Sequence, residues 1–178
     1  PADWRSPLLS SGFLENHARI LAGDDNAYLF EVLAEPAHRW GSGMPGNLVV
    51  DPEFATVRND ASPWSITDRA SVDNGVLTLK RRAAISQRVP VSGGTPYLLT
   101  ASGACVDPGD QIDLSLDWQS ADGTVLDSSV ERVLPGAEHG SQFIWRRAPE
   151  DADAVTITVA ATGSASCRFD EIGLREAP

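Results

Sequence analysis

The chain has 178 residues, of which 42% are hydrophobic, and this is enough for one folded domain with a buried core. Its formal net charge of −11 argues against nucleic acid or an anionic membrane surface as a partner, because both need a basic contact surface. No run approaches the ~20 apolar residues of a membrane span, and no stretch typical of a signal peptide opens the sequence. Because the chain begins with Pro1 rather than Met, we expect a piece of a longer protein whose other part carries any targeting signal or membrane anchor.

The first 46 residues differ from the rest in the spacing of their apolar side chains. Apolar residues recur at helical spacing over 13–21 and again over 28–33, and Pro36 suits the end of the second run. The glycine-rich stretch 41–46 is typical of a linker. We therefore predict a short helical segment and linker over residues 1–46.

From Asn47 onward, short alternating runs of apolar and polar residues are separated by turn-forming sequences such as Asp73-Asn74-Gly75. Eight or more short strands at this spacing, with no helices between them, predict an antiparallel β-sandwich or jelly roll. We therefore predict one all-β domain over residues 47–178. Its predicted strands are 47–50, 64–66, 76–79, 85–91, 97–105, 111–119, 125–133 and 141–147, followed by a closing hairpin over 154–174.

The sequence contains two cysteines, Cys105 and Cys167, both within predicted strands. An even number suits one disulfide in an oxidising compartment. Two buried free thiols explain the same residues, because free cysteine behaves as a small apolar side chain. The sequence leaves both alternatives open.

Several stretches of the β-domain are similar, in their order and spacing, to the strands of galactose-binding-like jelly rolls. They are Asn47–Phe54 with Pro63-Trp64, Ile85–Val89, Tyr97–Leu99, Leu116–Trp118 with Asp122-Gly123, Ala148-Pro149 with Ala154, and Phe169–Leu174. Over residues 47–174 the sequence resembles carbohydrate-binding modules of the family-four, family-nine and family-twenty-two type. The resemblance implies a jelly-roll sandwich and a sugar-binding role, although this fold also carries other functions.

Modules of this type often hold a structural calcium, using a glutamate after the Phe of the first strand and an Asp of the last strand. Here Ala55 follows Phe54, which leaves Asp170 as the metal ligand that the resemblance implies. Calcium takes ~6–8 oxygen ligands, so Asp170 alone does not make a site. A structural calcium and a hydrogen-bonded structural carboxylate remain the two alternatives, and we expect no other cofactor.

Sugar sites combine an aromatic ring that stacks on the sugar with polar side chains that bind its hydroxyls. Trp118 and Tyr97 share strand faces with apolar residues, which predicts core positions for both. Trp145 has polar neighbours along its strand, so we predict that it faces the ligand. The predicted ligand-binding residues are Trp145, Arg146, Gln142 and Trp64.

We find little that predicts catalysis. Ser10-Ser11-Gly12, His17 and Asp24-Asp25 include the residue types of a hydrolase triad, but the sequence has no nucleophile-elbow motif. We therefore expect a non-catalytic accessory module of a larger exported or membrane-bound protein that handles polysaccharide. An enzyme such as a glycosyltransferase or glycoside hydrolase is one candidate for the parent protein, and we expect the module to lie outside the cytoplasm.

Two further interpretations stay open. A structural or interaction domain that docks on its parent chain, without binding sugar, is the alternative to a sugar-binding module. The basic cluster Lys80-Arg81-Arg82, with Arg88, is either a solvated strand end that prevents edge pairing or a site for an anionic glycan or acidic partner.

Overall fold

The computed structural model describes residues 18–23, 28–32, 46–56, 62–107, 109–133 and 139–177, the first two ranges as backbone only. Every helix or strand assigned in these ranges is a β-strand. The strands are β1 (Ala18–Gly23), β2 (Tyr28–Val32), β3 (Ser65–Ile66), β4 (Ala70–Asp73), β5 (Val76–Lys80), β6 (Ala84–Pro90), β7 (Pro96–Cys105), β8 (Ile112–Gln119), β9 (Val125–Val133), β10 (Gly140–Arg147), β11 (Ala154–Ala161) and β12 (Ser166–Glu176). None of the described ranges holds a helix with the length and hydrophobicity of a membrane span.

Ten of the described strands form two five-stranded antiparallel sheets. Sheet A has the order β10-β7-β12-β5-β4, and sheet B has the order β3-β6-β11-β8-β9. From β5 to β8 each successive strand lies in the opposite sheet, and the same alternation returns from β10 to β12. Such crossing between two packed sheets is the arrangement of a jelly-roll sandwich. The predicted all-β antiparallel sandwich is therefore confirmed.

The two strands nearest the N-terminus show that the predicted helices are wrong where the structure describes them. β1 and β2 pair antiparallel as a separate two-stranded sheet, with Ala18 opposite Val32 and Gly23 opposite Tyr28. Short apolar runs fit helical and strand periods alike, and alternating Tyr, Phe and Val in β2 favour the strand. The rest of the predicted helices and residues 41–45 of the predicted linker lie outside the described residues, and the domain boundary at residue 46 stays a prediction.

The main core lies between the two sheets, and the alternation along β8 shows how it forms. Its apolar residues face sheet A and have no exposed surface, whereas the residues between them are half-exposed. These apolar residues are Ile112, Leu114, Leu116 and Trp118. The ring of Tyr97, from sheet A, has its centroid 5.8 Å from that of Trp118. The predicted core positions of Tyr97 and Trp118 are therefore confirmed.

Sheet A also contains the two cysteines. Cys105 on β7 and Cys167 on β12 are directly opposite each other, and the buried pair is joined by a disulfide. Of the two alternatives that the sequence left open, the structure therefore has the disulfide. Close to it, the register between β12 and β7 shifts by one residue at Asp170. This β-bulge leaves Asp170 unpaired with β7.

Candidate functional site

The outer surface of sheet B carries a set of polar side chains, which we call the polar face. Along β8, β11 and β6 these residues alternate with core residues, so the sheet pleat directs them away from the core. All of them are half-exposed or exposed. The polar face consists of Ser86, Arg88, Ser115, Asp117, Gln119, Thr156 and Thr158.

The strand register aligns these side chains in rows across the sheet. Arg88 is opposite Thr156, Thr156 is opposite Asp117, and Asp117 is opposite Ser128 on the edge strand β9. Because neighbouring strands lie about 4.8 Å apart, a row across four strands is about 14 Å long. A parallel row contains Ser86, Thr158 and Ser115. The face is thus an extended polar surface rather than a single point contact.

Hydrogen bonds fix the side chains at one end of the polar face. The Gln119 amide oxygen accepts from Arg88 Nε at 3.0 Å, and the Gln119 amide nitrogen donates to Thr156 Oγ1 at 3.0 Å. Within the described ranges the Asp117 side chain has no hydrogen bond or ion pair of its own. The Asp117 carboxylate is therefore a ready acceptor for hydroxyl groups beside a preformed network.

Aromatic stacking is not part of this surface. No residue of the polar face is aromatic, and each of the described tryptophans is at most 5% exposed. Trp4 and Trp40 lie outside the described residues. The polar face can therefore bind a ligand through hydrogen bonds to hydroxyl groups, but not by stacking an aromatic ring on a sugar.

The structure does not bring the four predicted ligand-binding residues together. Trp145 is 5% exposed and packs with Leu98 and Ala177 in a small cluster separate from the main core. Gln142 is 6% exposed, and because it lies three residues from Trp145 it points to the opposite side of β10. Arg146 donates to the Trp145 carbonyl oxygen at 2.7 Å.

Trp64 is likewise buried, and its ring has its own partners within the fold. It is 5% exposed, its ring centroid lies 5.6 Å from that of Phe54, and its Nε1 donates to the Asp51 carbonyl oxygen at 2.8 Å. A sugar-binding role for Trp64, Trp145, Gln142 and Arg146 stays a prediction. Burial of both tryptophans argues against an exposed stacking platform.

The acidic residues offer little to a metal. Asp170 Oδ1 lies 3.7 Å from Nε2 of His139, and the described ranges hold no cluster of three or more His, Cys, Asp or Glu side chains that suits a metal ion. The Asp51 carboxylate near the first predicted strand is used locally, accepting from the backbone N–H groups of Ala55 and Thr56. These residues do not by themselves supply the ~6–8 oxygen ligands of calcium, so a calcium at Asp170 remains an untested prediction.

Sequence reasoning missed the polar face because we searched for aromatic residues. The signal was present in β8, where Asp113, Ser115, Asp117 and Gln119 alternate with the core residues that identified the strand. An uninterrupted polar side is common on solvated strands, so this pattern alone does not distinguish a binding face from an inert one.

Solved structures of other proteins share the fold of this chain, although no match was found by sequence. No protein-family model and no curated protein match the sequence. Among solved structures, the enzymatically active domain of tailspike protein 4 from bacteriophage CBA120 matches with a TM-score of 0.57 at 14% identity, over 73% of this chain and 21% of that one. The CBM22-1-GH10 modules of Clostridium thermocellum xylanase 10B match with a TM-score of 0.55 at 14% identity, over 76% and 29% of the two chains.

A third match is a separate module rather than part of an enzyme. The CBM22-1 xylan-binding domain of Paenibacillus barcinonensis Xyn10C matches with a TM-score of 0.51 at 12% identity, over 79% of this chain and 98% of that one. The chain thus spans about a fifth of the tailspike domain but nearly all of the xylan-binding domain. At these identities the likeness concerns the fold: the chain has the jelly-roll β-sandwich fold of carbohydrate-binding modules.

Proposed function

We propose that the chain is a non-catalytic carbohydrate-binding module that binds an oligo- or polysaccharide along the polar face. The observation that carries this proposal is the row of Arg88, Thr156 and Asp117 on an open surface, organised by the hydrogen bonds of Gln119. The similar structures support it, since one is a CBM22-1 xylan-binding domain and another consists of CBM22-1-GH10 modules in complex with xylohexaose.

The chemistry of the polar face suits the hydroxyl groups of a sugar. Asp117 accepts hydrogen bonds, Arg88 donates them, and the hydroxyls of Thr156 and Thr158 do both. Each such bond contributes about 0.5–1.5 kcal/mol net, and no aromatic ring of this face adds stacking energy. Four to six bonds of about 1 kcal/mol each give about 4–6 kcal/mol, and because association itself costs free energy, we expect a Kd of about 1 mM or weaker. We therefore expect weak binding to a single site and a higher apparent affinity for a polymer that repeats that site.

The surroundings that we propose for the module follow from its disulfide. A buried disulfide persists in oxidising compartments and is rare in the cytosol. This supports a place outside the cytoplasm, as part of a larger exported protein that handles polysaccharide. The sandwich would then hold its parent protein on the polysaccharide, while any catalysis occurs elsewhere in that protein.

The test compares two arginine variants with the same change in charge. Arg88→Gln removes the donor on the polar face, whereas Arg168→Gln removes an exposed arginine of sheet A. Binding to a panel of neutral plant and bacterial oligosaccharides is measured by calorimetry. We expect at least one glycan to bind, with affinity reduced at least fivefold in Arg88→Gln and unchanged in Arg168→Gln.

Two further variants complete this experiment. Gln119→Ala should reduce binding as Arg88→Gln does, because the network loses its central residue. Trp145→Phe keeps the buried ring and tests the site predicted from sequence. Loss of binding in Trp145→Phe with full binding in Arg88→Gln would move the site to β10 and refute the polar face.

The alternative is a domain that docks on its parent chain, and one observation favours it. The edge strand β9 exposes Val125, Leu126 and Val130, with 39–60% of their surfaces accessible. An exposed apolar edge strand can add a strand from a partner. This alternative predicts that no glycan of the panel binds, and that Val130→Lys weakens association with the parent protein.

A further inference from the structure

An open pocket of about 320 Å³ lies at one end of the sandwich. It is formed by the two connections that cross between the sheets side by side: the segment from β3 to β4 and the turn from β5 to β6. The pocket is lined by Thr67, Asp68, Arg69, Arg81 and Arg82. A volume of this size accommodates a small ligand or one ring of a larger one.

Hydrogen bonds between the two connections hold the pocket in shape. The Thr67 hydroxyl accepts from the backbone N–H of Ala84 at 2.9 Å, and the Thr67 backbone N–H donates to the Ala84 carbonyl oxygen at 3.1 Å. Nη1 of Arg69 donates to the Arg81 carbonyl oxygen at 3.2 Å. This last bond anchors one end of the Arg69 guanidinium at the pocket, and it is the one hydrogen bond of that side chain among the described residues.

The charge of the pocket is opposite to that of the protein. Three guanidinium groups and one carboxylate line it, whereas the whole chain has a formal net charge of −11. In the part of the chain that the structure describes, the side chains of Arg81 and Arg82 make no hydrogen bond or ion pair. Among the described residues, only Asp68 brings a negative charge to the pocket, and an excess of guanidinium groups favours an anion.

The backbone of the turn gives a second, independent reason to assign a function here. Arg81 and Arg82 have φ angles of 47° and 67°, and the Ala83 N–H donates to the Lys80 carbonyl oxygen at 3.1 Å. Two positive φ angles in a two-residue turn are typical of type I′, which prefers Asn-Gly because other side chains are strained in this conformation. Arginine is therefore an unfavourable choice at both positions.

Another turn of the same chain has this backbone conformation with residues that adopt it without strain. Between β4 and β5, the two-residue turn is Asn74-Gly75, with φ angles of 50° and 75°. The β5–β6 turn has the same pair of positive φ angles but contains two arginines. A strained backbone that carries the pocket's charged groups is the pattern expected of a binding site rather than of a solvated strand end.

We propose that Arg69, Arg81 and Arg82 bind the carboxylate or sulfate group of an acidic glycan. This inference rests on the proposed function for the choice of a glycan, and it adds the charge class of that glycan. A planar guanidinium can donate two parallel hydrogen bonds to a carboxylate, and sulfate oxygens accept in a similar way. The pocket then selects charged over neutral polymers, while the polar face binds hydroxyl groups.

The experiment uses pairs of polymers that differ in charge alone. Oligogalacturonate is compared with its methyl ester, and sulfated dextran oligomers with plain dextran oligomers, by calorimetry at low salt. Arg82→Gln is the test variant and Arg168→Gln the control of equal charge change. A double variant, Arg81→Asn with Arg82→Gly, transplants the residues of the chain's own Asn-Gly turn.

We expect one charged polymer to bind at least tenfold more tightly than its neutral partner, with a preference that weakens as salt is raised. Arg82→Gln and the double variant should abolish the preference, and Arg168→Gln should retain it. The double variant should also raise the midpoint of thermal unfolding by about 2–4 °C, because it relieves the strained turn. Lost binding in a more stable protein would show that the arginines bind the anion rather than hold the fold.

Three results would overturn the inference. One is an equal affinity for charged and neutral polymers in the wild type, and another is an unchanged preference in Arg82→Gln. The third is equally tight binding of polyglutamate in the same pocket, which would assign it to acidic peptides. If no polymer binds at all, the proposed function fails. The pocket is then tested alone by adding glucuronate and following the amide signals of residues 67–69 and 81–82. If these signals do not move, the anion site is refuted as well.

Discussion

Replacing both Cys105 and Cys167 by alanine tests how the sandwich is stabilised. The two residues lie opposite each other on β7 and β12 of sheet A, 62 positions apart in sequence. The chain between them contains β8, β9, β10 and β11, which come from both sheets. The disulfide therefore restricts the unfolded chain over a large part of the fold, and not merely one hairpin.

The expected loss follows from the length of this loop. In the chain-entropy treatment, closing a loop of about 62 residues lowers the conformational entropy of the unfolded chain by about 14 cal/mol/K. This raises the free energy of the unfolded state by about 4 kcal/mol at 25 °C. Small cavities left by the two sulfur atoms add to this loss, because both cysteines are buried. Residual structure in the unfolded chain acts in the opposite direction. We therefore expect the double variant to lose about 3–4 kcal/mol of unfolding free energy.

Urea unfolding, followed by tryptophan fluorescence, measures this loss. The double variant should unfold at a lower urea concentration and with a steeper dependence on urea, since its unfolded state is more expanded. Wild-type protein with its disulfide reduced is the control and should behave in the same way. A loss below about 1 kcal/mol in both samples would refute the loop-entropy argument.

Two other predictions concern single positions. Gly103→Ala should lower the unfolding free energy by about 1–3 kcal/mol, because the added Cβ would overlap a backbone carbonyl of β12. Gly109→Ala is the control: a Cβ there would have no neighbouring atom within 4 Å, so the unfolding free energy should change by less than about 0.5 kcal/mol. Hydrogen bonds from the Ser120 hydroxyl and then from the Thr124 N–H lower the pKa of Asp122 below its usual 3.8. Stabilisation of this turn by the carboxylate is therefore present above the usual pKa and is lost as pH falls through the lower, folded-state pKa. The Thr124 amide signal should titrate with a midpoint below 3.8, and a midpoint at or above that value would contradict the assignment.

The sandwich could be predicted because its strands bury one side each. In β8, apolar and polar residues alternate without a break over all eight residues from Ile112 to Gln119, and this pattern fits a strand but not a helix. The N-terminal hairpin could not be predicted, because the apolar residues around Ile20 and Leu29 fit helical spacing as well as strand pairing. Only contact with a partner strand distinguishes the two.

The candidate sites depend on features that local sequence does not carry. The polar residues Asp117 and Gln119 were visible, but their alignment with Arg88 and Thr156 follows from the register of three strands. The basic pocket depends on the unusual φ angles of a turn whose sequence contains no turn-forming residue. Trp145 was chosen for its polar neighbours along the strand, but neighbours in sequence point to opposite faces.

Binding along the polar face is tested most directly by a map of amide chemical shifts on adding the tightest-binding glycan of the panel. We predict that the shifted signals cluster on the outer side of sheet B, at residues 86–88, 115–119 and 156–158. Shifts confined to β10, or to the exposed edge strand β9, would contradict binding along the polar face. A saturating glycan that moves no signal of sheet B would refute the polar face as the binding site.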